Sequence, residues 1–291
     1  MHQAAVSGRG RSARWLTLVC LLGPAAVLLI GFYALPFGRM VIESLQHGAA
    51  GGAGWTFEHY DKIGSSGRVQ RSLWRTLSIS AWVTLITLVL SFPLALYLVK
   101  AGRMIRTAFL VTLFISLASS LIVRNYGWLV TLADSGPINQ FMRAIGLIDA
   151  PLRMVYSEGA TIVALVHYAI PFMTLPIFAA LLRIPGNLTD SAASLGAGPF
   201  RVIRDLIWPL AMPGIFGGVV LTFSLGMSAF VTPLMLGSPA TAMISQVAAE
   251  QFLVQLAFPF GSAIVVTLVV ITFAIVLTSA WTVRKVFRAQ V

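Results

Sequence analysis

Residues 183–210 read RIPGNLTDSAASLGAGPFRVIRDLIWPL, a polar and basic stretch set between two long apolar runs. Asn187 or Thr189 is a suitable N-terminal cap for a short helix, and Asp190 then falls in the first turn, where the helix dipole favours a carboxylate. Gly196 lies where that helix needs a left-handed terminating residue. The stretch therefore predicts a short helix that ends in a tight turn.

A second helix is predicted to follow the turn at once. Pro199 suits the first turn of a helix, where its missing N–H costs nothing. Phe200, Ile203 and Leu206 then recur at helical spacing. Pro209 is expected to end this helix, because proline breaks the hydrogen-bond ladder. The whole stretch predicts a helix-turn-helix outside the membrane, with a shape that suits binding by a partner.

Composition sets the class of protein. Hydrophobic residues make up 58% of the chain, charged residues only 10%, and the mean hydropathy is +0.89. This excludes a water-soluble surface and predicts an all-α polytopic membrane protein. Each apolar run is long enough, or nearly so, to cross about 30 Å of hydrocarbon as a helix. The six predicted spans lie at 15–38, 76–99, 107–123 (with a possible extension past Arg124 toward Ala133), 159–182, near 214–236, and 251–283.

The distribution of cations predicts the orientation. The cations concentrate on one side, at Arg9, Arg11, Arg14, Lys100, Arg103, Arg106, Arg183, Arg201, Arg204, Arg284, Lys285 and Arg288. The positive-inside rule then places both termini and the 183–210 loop in the cytoplasm. The domain organisation that follows is a cytoplasmic tail, 1–14, and one transmembrane domain, 15–291. The net charge of +11 fits a face beside anionic lipid and needs no nucleic acid.

The 183–210 stretch resembles the coupling motif of ATP-binding-cassette (ABC) importer permeases. That motif reads Glu-Ala-Ala, three residues, Gly, nine residues, Ile, one residue, Leu-Pro. The spacing matches throughout, and the identities match at Ala192, Gly196 and Pro209. Asp190 replaces the glutamate, Ser191 an alanine, Leu206 the isoleucine and Trp208 the leucine. The alternative is an ordinary amphipathic loop lying on the bilayer. The resemblance implies that the following residues contact a separate ATPase or shape the loop for it: Asp190, Ser191, Ala192, Gly196, Leu206 and Pro209.

Three further segments resemble the spermidine/putrescine branch of these permeases. They are RNYGW at 124–128, HYAIPFMTLP at 167–176, and the stretch from Gln251-Phe252 to Pro259-Phe260-Gly261. The resemblance implies the type I ABC importer permease (MetI-like) fold, with 15–291 as a single permease domain in a bacterial inner membrane. The cargo it implies is a polyamine or a related small polar solute. An anionic solute such as an opine or a phosphonate is the alternative.

The resemblance also implies partners. These are an ABC ATPase subunit that binds the ATP, a second and non-identical permease subunit, and a periplasmic solute-binding protein. The sequence has no phosphate-binding loop and neither of the common hydrolase motifs His-Glu-x-x-His and Gly-x-Ser-x-Gly, so we expect no enzymatic activity and no cofactor of its own. Cys20 is the only cysteine, which excludes a thiolate metal site.

The energy source is predicted to be external. No carboxylate lies inside any predicted span, whereas a proton-coupled carrier usually needs one. An ion-gradient-driven carrier or a channel is the alternative from another class, and an integral membrane enzyme is a third; neither an internal repeat nor a cluster of catalytic groups supports them.

Seven residues are candidates for the solute path because they are polar, aromatic or flexible within apolar runs. For Arg124 the alternative is an interfacial anchor, with neighbouring aromatic residues forming a belt. For His167 it is a neutral ring bonded to a helix neighbour. The candidates are Arg124, Tyr126, Trp128, His167, Tyr168, Met227 and Phe230.

Overall fold

The computed structural model describes residues 21–25, 27–46 and 54–288. The predicted tail 1–14 and Cys20 lie outside the described residues. Within them the secondary structure is helical, apart from one isolated bridge between Gln46 and Trp55. The helices are α1 (Leu21–Ser44), α2 (Glu58–Ser65), α3 (Gly67–Lys100), α4 (Arg103–Ala118), α5 (Leu121–Leu132), α6 (Pro137–Ala144), α7 (Glu158–Leu181), α8 (Gly186–Ser194), α9 (Pro199–Met227), α10 (Val231–Leu236), α11 (Ile244–Leu253) and α12 (Phe258–Arg288).

The described part of the chain has five helices long and apolar enough to cross a membrane, namely α1, α3, α7, α9 and α12. A sixth span is obtained if α4 and the segment that follows it, bent by 100°, count as one crossing. The all-α, six-span prediction is confirmed on that basis. The third span differs from its prediction, because the chain continues past Arg124 only after this bend.

The core lies where α3, α7 and α9 pack together. Met173 and Ile177 of α7 and Ala211 of α9 are fully buried in it. Small residues bring the helices close, as is common in membranes. A Cβ at Gly226 would lie 2.8 Å from the Ser80 hydroxyl oxygen, and one at Gly218 2.6 Å from the Met173 sulfur. The backbone of α9 therefore lies directly against α3 and α7.

Two predictions about α9 are wrong. The helix does not end at Pro209 but runs without interruption from Pro199 to Met227. Residues 202–207 form a wide π-helical turn just before Pro209, and the altered hydrogen-bond spacing there accommodates the proline without ending the helix. The predicted span near 214–236 is also interrupted, because α9 stops at Met227 and α10 begins only at Val231.

Two glycines of α9 give a matched test of this packing. A methyl group at Gly214 would collide with the Pro176 carbonyl oxygen and lie 2.5 Å from the Ala180 Cβ, whereas at Gly217 the nearest atom is the Pro176 Cβ at 3.8 Å. We expect Gly214→Ala to lower the free energy of unfolding by about 1–3 kcal/mol through overpacking. Gly217→Ala should leave it unchanged or raise it by up to about 1 kcal/mol, because alanine favours helix. Thermal unfolding in detergent measures both; equal stabilities would contradict the close contact.

Candidate functional site

The 183–210 stretch forms an elbow, which we define as α8, the turn at 195–198 and the start of α9. Gly196 has φ +81°, the left-handed conformation predicted for it. The Leu195 amide donates to the Ser191 carbonyl and the Ala197 amide to the Ala192 carbonyl, both at 3.1 Å, which closes the end of α8. Pro199 then opens α9 as predicted. The elbow is therefore a defined turn between two helices.

The start of α8 differs from the prediction. The helix begins at Gly186, and the Thr189 hydroxyl donates to the Gly186 carbonyl at 2.7 Å, so Thr189 lies inside the first turn and does not cap it. Asn187 also lies inside the helix. Asp190 is in α8, but its side chain lies outside the described part of the structure. The two predicted capping residues therefore lie too late in the sequence, because the chain is already helical from Gly186.

Apolar side chains on the elbow are exposed. Leu195 is 88% exposed, Phe200 75% and Leu188 40%. Ser191 is also exposed, whereas Ala192, Leu206 and Pro209 are half-buried. None of the residues of α8 whose burial is described is buried. The elbow connects to the core through Ile207, which packs with Ile177 and Leu181.

Arg124 holds the bend of the broken span. The chain is extended at Ser119 and Ser120, between α4 and α5. From α5 the Arg124 guanidinium reaches back and donates to the carbonyls of Ser116 and Ser119 and to the Ser119 hydroxyl. These carbonyls end α4, where the helix dipole is negative, so a cation is favourable there.

The burial of Arg124 favours a role inside the protein over the interfacial anchor. Its side chain is only 8% exposed, and its guanidinium lies 5.0 Å from the centre of the Tyr168 ring. A snorkelling anchor would instead extend into the headgroup region. Tyr126, which was expected to share the same belt, is 61% exposed and does not join Arg124 in the interior.

Trp128 and His167 join α5 to α7. The indole N–H of Trp128 donates to Nδ1 of His167 at 3.1 Å. Because indole nitrogen can only donate, Nδ1 must accept, so His167 is neutral with its proton on Nε2. The sequence predicts a neutral ring bonded to a helix neighbour, and the partner found here lies on α5. Tyr168 packs against Phe172 with ring centres 5.4 Å apart.

The structure thus brings together four of the seven path candidates, namely Arg124, Trp128, His167 and Tyr168. Met227 is buried at the end of α9, and Phe230 is half-buried just beyond it. Whether any of the seven contacts solute stays a prediction.

Asn125 and Thr232 were missed by the sequence analysis. Both are buried, and the Asn125 amide donates to the Thr232 hydroxyl at 3.1 Å, which ties α5 to α10. An amide within an apolar run is a useful signal, because a polar group at that depth needs a partner. Asn125 stands beside Arg124 and could have been recognised in this way.

Two ion pairs join the first turns of α3 to other helices, at the end of the bundle away from the elbow. Arg75 of α3 binds Glu158 of α7 at 2.5 Å, and Arg68 binds Glu250 of α11 with N–O distances of 3.0 and 2.5 Å. The hydrogen bond from Arg68 holds the pKa of the Glu250 carboxyl below its usual value. The second pair therefore persists as the pH falls to the usual pKa of glutamate, and is lost only below it.

Comparison with known proteins identifies the family. A family model described as the inner membrane component of binding-protein-dependent transport systems matches residues 63–288. The chain belongs to this family. It is therefore a membrane permease component.

Relatives at the level of sequence include two polyamine permeases. The spermidine/putrescine transport system permease protein PotB of Escherichia coli (strain K12) is 30% identical over 219 residues, covering 75% of this chain and 79% of that one. PotB of Haemophilus influenzae is 32% identical over 199 residues, covering 68% and 70%.

A solved bacterial alginate ABC transporter, in complex with its pentasaccharide-bound periplasmic protein, contains a chain of the same fold. Its TM-score is 0.81 at 19% identity, with 96% of this permease and 97% of that chain covered. At that identity the likeness shows the fold alone. The type I ABC importer permease fold is thereby confirmed.

A double-mutant cycle tests the bond between α5 and α7. We expect Trp128→Phe and His167→Phe to be coupled by about 0.5–1.5 kcal/mol in the free energy of unfolding, the net value of one hydrogen bond. Trp82, which is 55% exposed, supplies the control: Trp82→Phe combined with His167→Phe should be additive. Thermal unfolding in detergent measures both cycles. Additive effects in the first cycle would show that the bond contributes nothing.

Hydrogen exchange tests the role of Arg124 at the bend. Arg124→Met removes the donor that holds the end of α4, so we expect faster amide exchange at residues 116–124, by about tenfold if roughly 1.4 kcal/mol of local stability is lost. Arg143→Met, at an exposed arginine of α6, is the control and should leave these amides unchanged. Unaltered exchange in Arg124→Met would show that Arg124 does not stabilise the end of α4.

Proposed function

We propose that this chain is the transmembrane subunit of an ABC importer for a polyamine or a related small polar solute. It spans a bacterial inner membrane with both termini in the cytoplasm. It works with an ABC ATPase subunit that binds the ATP, a second, non-identical permease subunit and a periplasmic solute-binding protein. Membership of the family and the similarity to the two polyamine permeases support this proposal.

The observation that carries the proposal is the exposed apolar surface of the elbow. Leu195 and Phe200 flank the left-handed turn at Gly196 and are among the more exposed large apolar side chains of the chain. Exposed apolar groups on a polar, basic element outside the hydrocarbon indicate a protein interface. The occupant we infer is a cleft on the ATPase, with Asp190 and Ser191 on the contacting helix.

A continuous path leads from the elbow to the interior. α9 runs unbroken from Pro199 to Met227, and its glycines pack against the backbone of α7. α7 in turn carries His167 and Tyr168, which contact Trp128 and Arg124 of α5. Because packed helices move as rigid bodies, a displacement of the elbow is transmitted to the cluster of four candidates. ATP-driven movement of two such elbows would open the path to one side and then the other.

The interior suits a cationic solute only in part. Trp128 and Tyr168 offer aromatic faces, which bind ammonium groups through cation–π contacts. Residues 62–133 and 159–189 contain no Asp or Glu, so carboxylates for a polyamine must come from the second permease subunit or the binding protein.

An anionic solute is the second candidate, and one observation favours it. Among the described residues, Nη1 of the buried Arg124 has no hydrogen-bond partner, so the guanidinium has a free donor. A carboxylate or phosphonate group would satisfy it. A thermal-shift screen of the cognate binding protein against polyamines, opines and phosphonates separates the candidates. Stabilisation by polyamines alone supports the first, and stabilisation by an anion alone replaces it with the second.

Substitutions at Gly196 test the coupling. We expect Gly196→Arg to lower ATP-dependent uptake at least about tenfold, because a bulky side chain is strained in the left-handed conformation and changes the surface offered to the ATPase. Hydrolysis by the ATPase should persist without transport. Uptake by proteoliposomes that contain the complete transporter measures the effect.

Gly196→Ala and Gly198→Ala provide the conformational control. Neither added methyl group meets another atom within 4 Å, but Gly196 has φ +81° and Gly198 has φ −66°. We therefore expect reduced uptake in Gly196→Ala and normal uptake in Gly198→Ala. Unchanged uptake in both Gly196 variants would overturn the assignment of the elbow.

A further inference from the structure

A pocket of about 180 Å³ lies beneath the elbow, between α3, α7 and the start of α8. Its lining is almost wholly apolar. The lining includes Leu96, Lys100, Leu181, Ile184, Thr189 and Ile207. The pocket therefore lies where α3 and α7 end, at the level at which the apolar spans give way to the basic loops.

The charge at the pocket is positive. Lys100 is the charged residue of the lining, and it is exposed. After Lys100 a two-residue break leads into α4, whose first turn carries Arg103 and Arg106. Arg106 is fixed in place, because its guanidinium donates to the carbonyls of Leu98 at 3.1 Å and Val99 at 2.8 Å. These cations concentrate positive charge at the end of α3, beside an apolar cavity.

An apolar cavity with a cation at its edge is complementary to an anionic amphiphile. A cavity without polar partners does not hold water well but accepts apolar ligands. Basic pockets between the cytoplasmic ends of transmembrane helices bind phospholipid headgroups. We propose that this pocket binds one acyl chain of an anionic phospholipid, whose phosphate contacts Lys100. The inner leaflet is the source of that lipid, which rests on the cytoplasmic placement of the elbow in the proposed function.

The bound lipid supports the elbow. None of the residues of α8 with described burial is buried, and Thr189 of α8 is part of the pocket lining. An acyl chain in the pocket adds an apolar contact to α8, whose residues are at most half-buried where burial is described. The position of the elbow, and with it the response to the ATPase, then depends on anionic lipid.

Native mass spectrometry of the full-length chain tests the lipid site directly. The chain is purified in detergent and exposed to phosphatidylglycerol or to phosphatidylcholine with the same acyl chains. We expect one phosphatidylglycerol to be retained in preference to phosphatidylcholine. Lys100→Gln should weaken retention about fivefold, the equivalent of about 1 kcal/mol for one cation near an anionic headgroup. Lys285→Gln is the control, because Lys285 lies over the ring of Trp281 and does not line the pocket.

Filling the pocket tests the acyl-chain part of the proposal. We expect Ile184→Trp and Leu96→Trp each to abolish retention, whereas Val270→Trp, at a residue of α12 that is 59% exposed, should not. Thermal unfolding confirms that each variant is folded; if both pocket variants unfold, Lys100→Gln against Lys285→Gln decides. Equal retention of the two lipids, equal effects of the two lysine variants, or full retention in a folded pocket variant would overturn the proposal. The assay contains no ATPase, so its outcome is independent of whether the chain is an importer subunit.

Discussion

The close contact between α9 and α7 is the constraint on which the rest of the structure depends. Helices in a bilayer gain little from the hydrophobic effect, so their association depends on backbones that approach closely. Gly214 and Gly218 provide this approach, and no larger residue fits at Gly214 without moving the backbone of Pro176. The same contact fixes the position of the elbow at one end of α9 and of His167 and Tyr168 in the middle of α7. The packing of α9 against α7 therefore determines where both the elbow and these two side chains lie.

The electrostatics of the interior follow from local geometry. A buried arginine in a membrane is costly unless its charge is compensated. Arg124 obtains that compensation from the carbonyl end of α4 and from the face of Tyr168, without any carboxylate. The 100° bend and the cation thus stabilise each other: the bend exposes carbonyls, and the guanidinium binds them. Among the described residues, one donor of the buried guanidinium, Nη1, is left without a hydrogen-bond partner.

Much of the fold could be predicted from the sequence, because the signals are local. Apolar runs indicated the spans, and Gly196 and Pro199 indicated the turn of the elbow, each through a conformational preference of the residue itself. The failures arose where tertiary contacts decide. Pro209 does not end α9, because a wide turn precedes it. The bend at Ser119–Ser120 contains no glycine or proline from which it could be predicted. It is held by Arg124, which lies beyond it in α5.

The candidate site was predicted in part for the same reason. Arg124 and His167 stood out as polar residues in apolar runs, but their partners lie on other helices, and no periodicity indicates a bond between Trp128 and His167.

The central claim is that the work of transport enters through the elbow from a separate ATPase. The most direct measurement is solute accumulation in proteoliposomes that contain the complete transporter, with either ATP or an ion gradient as the only energy source. The account predicts accumulation with ATP and none with the gradient alone; accumulation under the gradient without ATP would contradict it.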